Sequence, residues 1–329
     1  MRAAASMRAF PQNLRARASR GVALVIVLWV VTLLSLIASS FIYAMRSEVG
    51  IVANGTSRVR AAVAADAGVQ RAIYELFKPV NTADRWNNDG VAHDWTFGDA
   101  TVSVTMQDES GKIDINTANE QLMQSFLRLL GVAPDDAVAL SDAIADWRDA
   151  DNLKRLHGAE EAEYTAAGLT YKPANAPFLA LEELKLVLGM TPGLYDRMAP
   201  HITIYSRLPG VNAQIASRTV LLAIPNVTAE QVDAYIQQRD LARANHQPIP
   251  VFTAGAAYTS IGSGFINRIR ATAHLPDGNS FIREVVAMRQ GNPKRPYAFL
   301  MWREGREIDE NDPNAAGAGV PNTGPAQVR

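Results

Sequence analysis

Residues 19–45 read SRGVALVIVLWVVTLLSLIASSFIYAM, and this run decides how the rest of the chain is organised. Between Arg20 and Arg46 lie 25 residues without a formal charge. At about 1.5 Å per helical residue they are long enough for a hydrocarbon core of roughly 30 Å. Upstream, the ionisable side chains are Arg2, Arg8, Arg15, Arg17 and Arg20, with no acidic residue, so this end stays cytoplasmic under the positive-inside bias. A secretory signal has a shorter apolar run, about 7 to 15 residues, that ends in a small-residue cleavage site, and this run does neither. Read plainly, it is a single-pass anchor.

Working outward, apolar and small residues continue at helical spacing through Ala61, Ala62, Val63, Ala65, Val69, Ile73, Leu76 and Phe77, and stop at Lys78-Pro79. The pattern predicts one helix from Val22 to about Phe77, its second half packed on a globular head with Arg58, Arg60, Asp66, Arg71 and Glu75 facing outward. After a loop holding Asn87-Asn88-Asp89-Gly90, the alternation Thr101 to Met106 and then Lys112 to Ile115, joined by Glu109-Ser110-Gly111, reads as a hairpin. Helical signals follow at Glu120–Leu130, Asp135–Trp147, Leu179–Leu188, Ser217–Ala223 and Ala229–Arg239. Phe265–Leu275, Ser280–Gln290 and Tyr297–Arg303 then read as a closing antiparallel meander, turned by Pro276-Asp277-Gly278-Asn279. The fold class is therefore α+β: a long N-terminal helix on an antiparallel sheet, with a large all-α insert.

At 329 residues the chain exceeds one usual domain. Charged residues are 20% and the net charge is −1, so no polybasic surface points to nucleic acid. The absence of cysteine excludes thiolate chemistry, cysteine-ligated metals and disulfides. Histidines 93, 157, 201, 246 and 274 lack His-Glu-x-x-His spacing, and no Gly-x-Ser-x-Gly elbow or phosphate loop occurs. No nucleophile, base or cofactor box emerges, and the chain reads as a non-enzyme.

Ile115-Asn116-Thr117-Ala118 followed by Leu130-Gly131-Val132 resembles Val211-Asn212-Ala213 followed by Ile224-Pro225-Asn226; Trp147-Arg148-Asp149 and Gln238-Arg239-Asp240 close the two copies. Leu188-Gly189-Met190 adds a third such turn. These look like helix-hairpin-helix units. In DNA-binding units of that class the hairpin amides receive a phosphate. Here Pro225 lacks an amide donor and Asp135, Asp136 and Glu230 follow two of the turns, which favours packing. Between the first and third units, Asp146-Trp147-Arg148-Asp149-Ala150-Asp151-Asn152 and His157-Gly158-Ala159-Glu160-Glu161-Ala162-Glu163 gather carboxylates. Asp149 and Asp151, with Glu160 or Glu163 returning from downstream, suit a hard cation such as calcium. The same segment also reads as a solvated acidic loop with Asp149 or Asp151 as a cap.

The junction Ser19-Arg20-Gly21-Val22-Ala23-Leu24-Val25-Ile26 resembles a type IV prepilin leader. The resemblance implies that a prepilin peptidase cuts between Gly21 and Val22 and that Val22 is then N-methylated. Most pilins and pseudopilins have Glu at the fifth position after the cut, where this chain has Ile26. A carboxylate in a lipid or helix-bundle setting costs several kcal/mol unless paired, so a subunit with none above it gains by lacking one. Ile26 therefore suggests a tip position.

Together with Asp114-Ile115-Asn116-Thr117-Ala118, Ala145-Asp146-Trp147-Arg148-Asp149-Ala150-Asp151, Gly158-Ala159-Glu160-Glu161-Ala162-Glu163-Tyr164 and Gly189-Met190-Thr191-Pro192, the leader resembles the type II secretion minor pseudopilin K family over about Arg20 to Arg303. The resemblance implies calcium in the helical insert, carried onto Asp149, Asp151, Glu160 and Glu163. It further implies I-, J- and H-type minor pseudopilins as partners, and through them the major pseudopilin. Localisation follows: a single pass in the bacterial inner membrane, N-terminus cytoplasmic and head periplasmic. The organisation expected is a leader over 1–21, a membrane or filament-core helix over 22–45, a pilin-like head over 46–116 and 241–308, a helical insert over 117–240 and a disordered tail over 309–329. The function expected is pseudopilus assembly or length control at the tip, for protein export across the outer membrane. Two readings stand beside it: a membrane-anchored helix-hairpin-helix DNA-binding protein, and a plain anchored ligand-binding head with no cut at Gly21.

Overall fold

A computed structural model describes residues 19–305, apart from 80, 81, 83, 246 and 263. In chain order the elements are α1 (Ser19–Phe77), β1 (Asp89–Phe97), β2 (Ala100–Asp108), β3 (Ile113–Asp114), α2 (Glu120–Leu129), α3 (Pro134–Arg148) and α4 (Glu161–Ala166). They continue with α5 (Pro192–Met198), β4 (Ile202–Thr203), α6 (Arg218–Leu222), α7 (Ala229–Ala244), β5 (Ile266–His274), β6 (Ser280–Asn292) and β7 (Arg295–Glu304). The chain divides into two compact units, Met1–Val59 and Arg60–Arg329. The leader expected over 1–21 lies outside the described residues as far as residue 18, and the tail expected over 309–329 lies wholly outside them.

In the first unit the described part of α1 keeps its apolar side chains exposed from Val22 to Tyr43. In the second unit, β1, β2, β5, β6 and β7 form one antiparallel sheet in the order β1-β2-β5-β6-β7. The alternation of β2 puts Ala100, Val102, Val104 and Met106 on one buried face, and β5 adds Ile269, Ala271 and Ala273. The end of α1 covers that face with Ala61, Ala64, Ala65, Val69, Ala72, Ile73 and Leu76. Small residues let the helix lie close: a Cβ on Gly68 would stand 2.7 Å from Val102 Cγ1 and 3.1 Å from Ala271 Cβ.

A second core is built by the helical segments around Phe126, Ile144, Trp147, Tyr164, Leu184, Met198, Leu221 and Phe252, with Ile113, Ile115 and Ile202 beneath them. Here β3 and β4 pair in parallel as a two-stranded ladder separate from the main sheet. Trp147 stacks on Phe178 at 6.0 Å.

Three expectations are corrected. The hairpin of Thr101–Met106 with Lys112–Ile115 does not form: Glu109-Ser110-Gly111 is a 3₁₀ turn that carries the chain from one sheet to the other. The partner of β2 is instead β1, whose residues were read partly as loop, because this edge strand leaves both faces half-exposed and so lacks alternation. Glu75 does not face outward. It is fully buried, holds Arg71 at 2.8 Å and Lys78 at 3.0 Å, and accepts the Trp86 amide at 3.2 Å. The segment read as a helix over Leu179–Leu188 is a 3₁₀ helix over Leu181–Leu186.

Candidate functional site

The anchor comes first in the chain. Val22–Tyr43 supplies 22 residues long and apolar enough to cross a membrane, none of them buried in this chain. Gly21 and Val22 lie inside α1, and Val22 and Ile26 are 60% and 58% exposed among the described residues.

The acidic loop connects the end of α3 to the start of α4. Its backbone is pinned by two buried carboxylates of α3: Asp142 Oδ2 accepts the His157 amide at 3.2 Å, and Asp146 accepts the Arg155 amide at 3.2 and 3.3 Å. The loop presses so closely that a Cβ on Gly158 would lie 2.0 Å from Asp146 Oδ2. Burial pushes the Asp146 carboxyl up to about 6, with the charge of Asp149 adding to the shift. Burial likewise raises Asp149, helped by Asp151, and raises Glu160, helped by Asp146, Asp149 and Asp151. Two oxygens are left buried without a hydrogen-bond partner, Asp149 Oδ1 and Glu160 Oε1.

The four carboxylates expected to share a cation are not brought into one group. Glu163 is taken by Lys154 Nζ at 2.7 Å and by the Glu160 amide at 3.0 Å, an N-terminal cap of α4 that keeps its carboxyl below the usual range. Asp151 accepts the Leu153 amide at 2.8 Å. Arg155 lies across the rest: Nη1 is 2.6 Å from Glu120, Nη2 3.5 Å from Asp149, and Nε approaches Asp146 at 3.3 Å without hydrogen-bond geometry. Among the described residues no three or more His, Asp or Glu side chains are arranged to hold a metal ion. Asp149 and Glu160 each keep one buried oxygen without a hydrogen-bond partner, while Asp151 and Glu163 accept bonds within the loop.

The repeat is real in the hydrogen bonding, with its register shifted by two residues from the sequence match. Asp114 Oδ1 accepts the Asn116 amide as Asn212 Oδ1 accepts that of Gln214. Arg148 then donates to the carbonyls of Ile115 and Ala118, and Arg239 to those of Ala213 and Ala216. Each arginine closes its copy by satisfying carbonyls that precede the first helix. Several hairpin amides are occupied: Gly131 donates to Arg128, Val132 to Leu127 and Met190 to Val187, and just past the third turn Val227 donates to Ile224. Gly131 and Gly189 both have φ of 88°, which closes a helix end by the left-handed turn that glycine permits.

Sequence reading missed a buried ionic network. Glu109, fully buried, pairs with Lys112 at 2.9 Å and Arg268 at 2.8 Å and accepts from Thr203 Oγ1. Arg268 reaches Glu284 at 2.6 Å, Glu284 reaches Arg303 at 3.0 Å, and Arg303 reaches Glu182 at 2.8 Å. Burial alone would raise Glu109, yet the charges of Arg268 and Lys112 hold it well below the carboxylate range. Among the described residues one Ser/His contact occurs, Ser217 Oγ to His201 Nδ1 at 3.5 Å, and Ser217 caps α6 by accepting the Val220 amide.

Residues 102–210 match the family described as type II secretion system (T2SS), protein K. That span holds β2 from Val102 on, the 3₁₀ turn, the first repeat copy and the whole acidic loop. The chain is 27% identical over 203 residues to type II secretion system protein K of Klebsiella pneumoniae, covering 56% of this chain and 62% of that one. The corresponding protein of Aeromonas hydrophila is 29% identical over 212 residues, covering 56% and 63%, and that of Pseudomonas aeruginosa 26% over 234 residues, covering 67% of each. The chain thus spans a little over three fifths of the first two relatives. Its fold is similar to a chain in the crystal structure of the GspK-GspI-GspJ complex from the enterotoxigenic Escherichia coli type 2 secretion system, with TM-score 0.59 at 16% identity, covering 77% of this chain and 98% of that chain.

Proposed function

From the premise that this chain belongs to the type II secretion system protein K family, we propose that it is a minor pseudopilin at the tip of the pseudopilus, a structural part rather than an enzyme. The observation that carries the reading is the order of parts. A membrane-length apolar helix continues without a break into a segment that covers an antiparallel sheet, and the protein K match begins in that sheet. In this reading the helix is cut between Gly21 and Val22 and methylated at Val22, and it holds the inner membrane before entering the filament. The rest of the second unit lies in the periplasm, and Ile26 leaves no carboxylate to pair with a subunit above.

The partners proposed are the I- and J-type pseudopilins named in the complex of similar fold, then the H-type and the major pseudopilin. Co-expression of the full chain with I- and J-type pseudopilins of its own system should yield a ternary complex that survives gel filtration in detergent. An I–J pair that forms while this chain elutes alone would overturn the assembly role. The helix-hairpin-helix-like turns are read as packing units, because the Gly131, Val132 and Met190 amides are already bonded within the chain and Pro225 has none to offer.

Calcium enters the reading through Asp149 and Glu160, supported by their orphaned buried oxygens and by carboxyls that repel one another. A hard cation takes six to eight oxygens, so carbonyls or water complete its shell. When bound, it would neutralise this charge and tie the end of α3 to the start of α4.

A further inference from the structure

Resting on the reading of this chain as one subunit of a filament, we propose that the half-exposed aromatic row of β7, beside the end of α1, docks an amphipathic helix of a partner subunit. That helix is apolar toward the rings and acidic at the end near the β6–β7 turn.

Helix α1 covers only part of its sheet. Val102, Val104, Ile269, Ala271 and Val285 on the covered face are fully buried. On the same face β7 carries Tyr297, Phe299 and Trp302, and the last two are still 38% and 40% exposed. A strand face open to solvent ordinarily carries polar side chains. These rings instead continue a row that starts at Phe77 of α1, itself 40% exposed: Phe77 to Tyr297 is 6.3 Å, Tyr297 to Phe299 5.3 Å and Phe299 to Trp302 4.8 Å. The helix follows the row. Phe77 meets Tyr297 at one end, and at the other Arg283 lies over Trp302 at 5.2 Å while holding Asp66 at 2.6 Å. From Asp66 to Phe77 along a helix, and from Tyr297 to Trp302 along a strand, the chain rises about 16 Å. Helix and row therefore line a ledge about three helical turns long.

Charge names the occupant. Arg283 is spent on Asp66, but Arg289, Lys294 and Arg295, toward the Phe77 end, have no carboxylate partner among the described residues. Arg289 lies over the Phe77 ring at 5.3 Å, and Lys294 and Arg295 are exposed where β6 turns into β7. Aromatic rings with arginine are the side chains enriched at protein interfaces, and unpaired cations at one end call for carboxylates on the partner. A helix laid in this ledge fits better than an added strand. Pro296 and the bulge beside Leu300 interrupt the ladder that a further strand would need.

The test replaces Phe299 by p-benzoylphenylalanine in the full chain, in cells carrying its own secretion system, and maps the photocrosslinked peptide by mass spectrometry. A helical segment of another chain that bears Asp or Glu is the expected product. A crosslink to a second copy, to a strand, or to no protein overturns the proposal. The same ledge is then altered in the ternary complex with I- and J-type pseudopilins. F299E and the double variant K294E/R295E should each lower retention of this chain at least about tenfold, with the melting temperature unchanged. V251E, at a side chain 77% exposed and outside the ledge, should not. Lysine at the crosslinked carboxylates of the partner should restore retention of K294E/R295E. Wild-type retention of F299E and K294E/R295E overturns the ledge and leaves the assembly reading intact. Failure of the unaltered chain to form the ternary complex overturns the assembly reading, and the crosslink then decides the ledge by itself.

Discussion

His201 sits 6% exposed with its ring edge-on to Phe126, and burial pushes its imidazole down to about 4, with the charge of Lys112 lowering it further. The sign is fixed by which state binds more protons. Between the ordinary value of 6.5 and about 4, the unfolded chain is protonated here while the folded chain is not. Stability from this residue is therefore full above pH 6.5 and is lost as the pH falls toward 4. Over that window the loss approaches about 3 kcal/mol, which acid-dependent chemical denaturation of the full chain should reveal as a slope that H201Q lacks. A parallel slope in H201Q would contradict the assignment. Residue chemistry of this kind was only partly visible beforehand. The carboxylates of the acidic loop stood out by number, but spacing says nothing about which cation folds back on which acid, and so the roles of Lys154 and Arg155 were missed. Glu109 and Arg268 are 159 residues apart, and no local pattern joins them.

Elements follow from patterns where one face is buried and blur where neither is. The alternation of β2 was legible because every second residue is buried, whereas β1 shows no such rhythm. The Glu109-Ser110-Gly111 turn was misread because its two flanks alternate alike, yet one flank belongs to the main sheet and the other to a parallel pair closed by β4, about ninety residues on. Helix α1 was legible throughout, except that Glu75 reads as a surface residue until the cations Arg71 and Lys78 are seen against it. Its close fit to the sheet depends on Gly68. A leucine there would drive side-chain atoms into Val102, Val104 and Ala271, and G68L should lower stability by roughly 3 kcal/mol, seen as an earlier melting transition of the second unit. G55A is the control: a Cβ there meets nothing within 4 Å, so the better helix former should leave stability unchanged or slightly higher. A gain at both positions would mean that helix propensity, not packing, sets the effect.

At the scale of the molecule, a chain of ion pairs runs between the two halves of the second unit, buried at Glu109 and Arg268 and exposed at Arg303 and Glu182. The network from Glu109 through Arg268, Glu284 and Arg303 to Glu182 starts at the turn after β2, crosses β5, β6 and β7, and ends in the 3₁₀ helix among the helical segments. Breaking the inner end of this network on one side would leave an unpaired buried charge at Glu109 or Arg268, which costs more than the intact pair contributes. An apolar helix whose side chains are exposed from Val22 to Tyr43 among the described residues suits a subunit whose helix is packed by others or by lipid. The central claim is that this helix begins at a processed end. Intact mass and N-terminal sequencing of the membrane-extracted protein, from cells with and without active prepilin peptidase, test it directly. The chain should start at methylated Val22 only when the peptidase is active. A Met1 start in both strains would contradict it and leave a plain anchored protein.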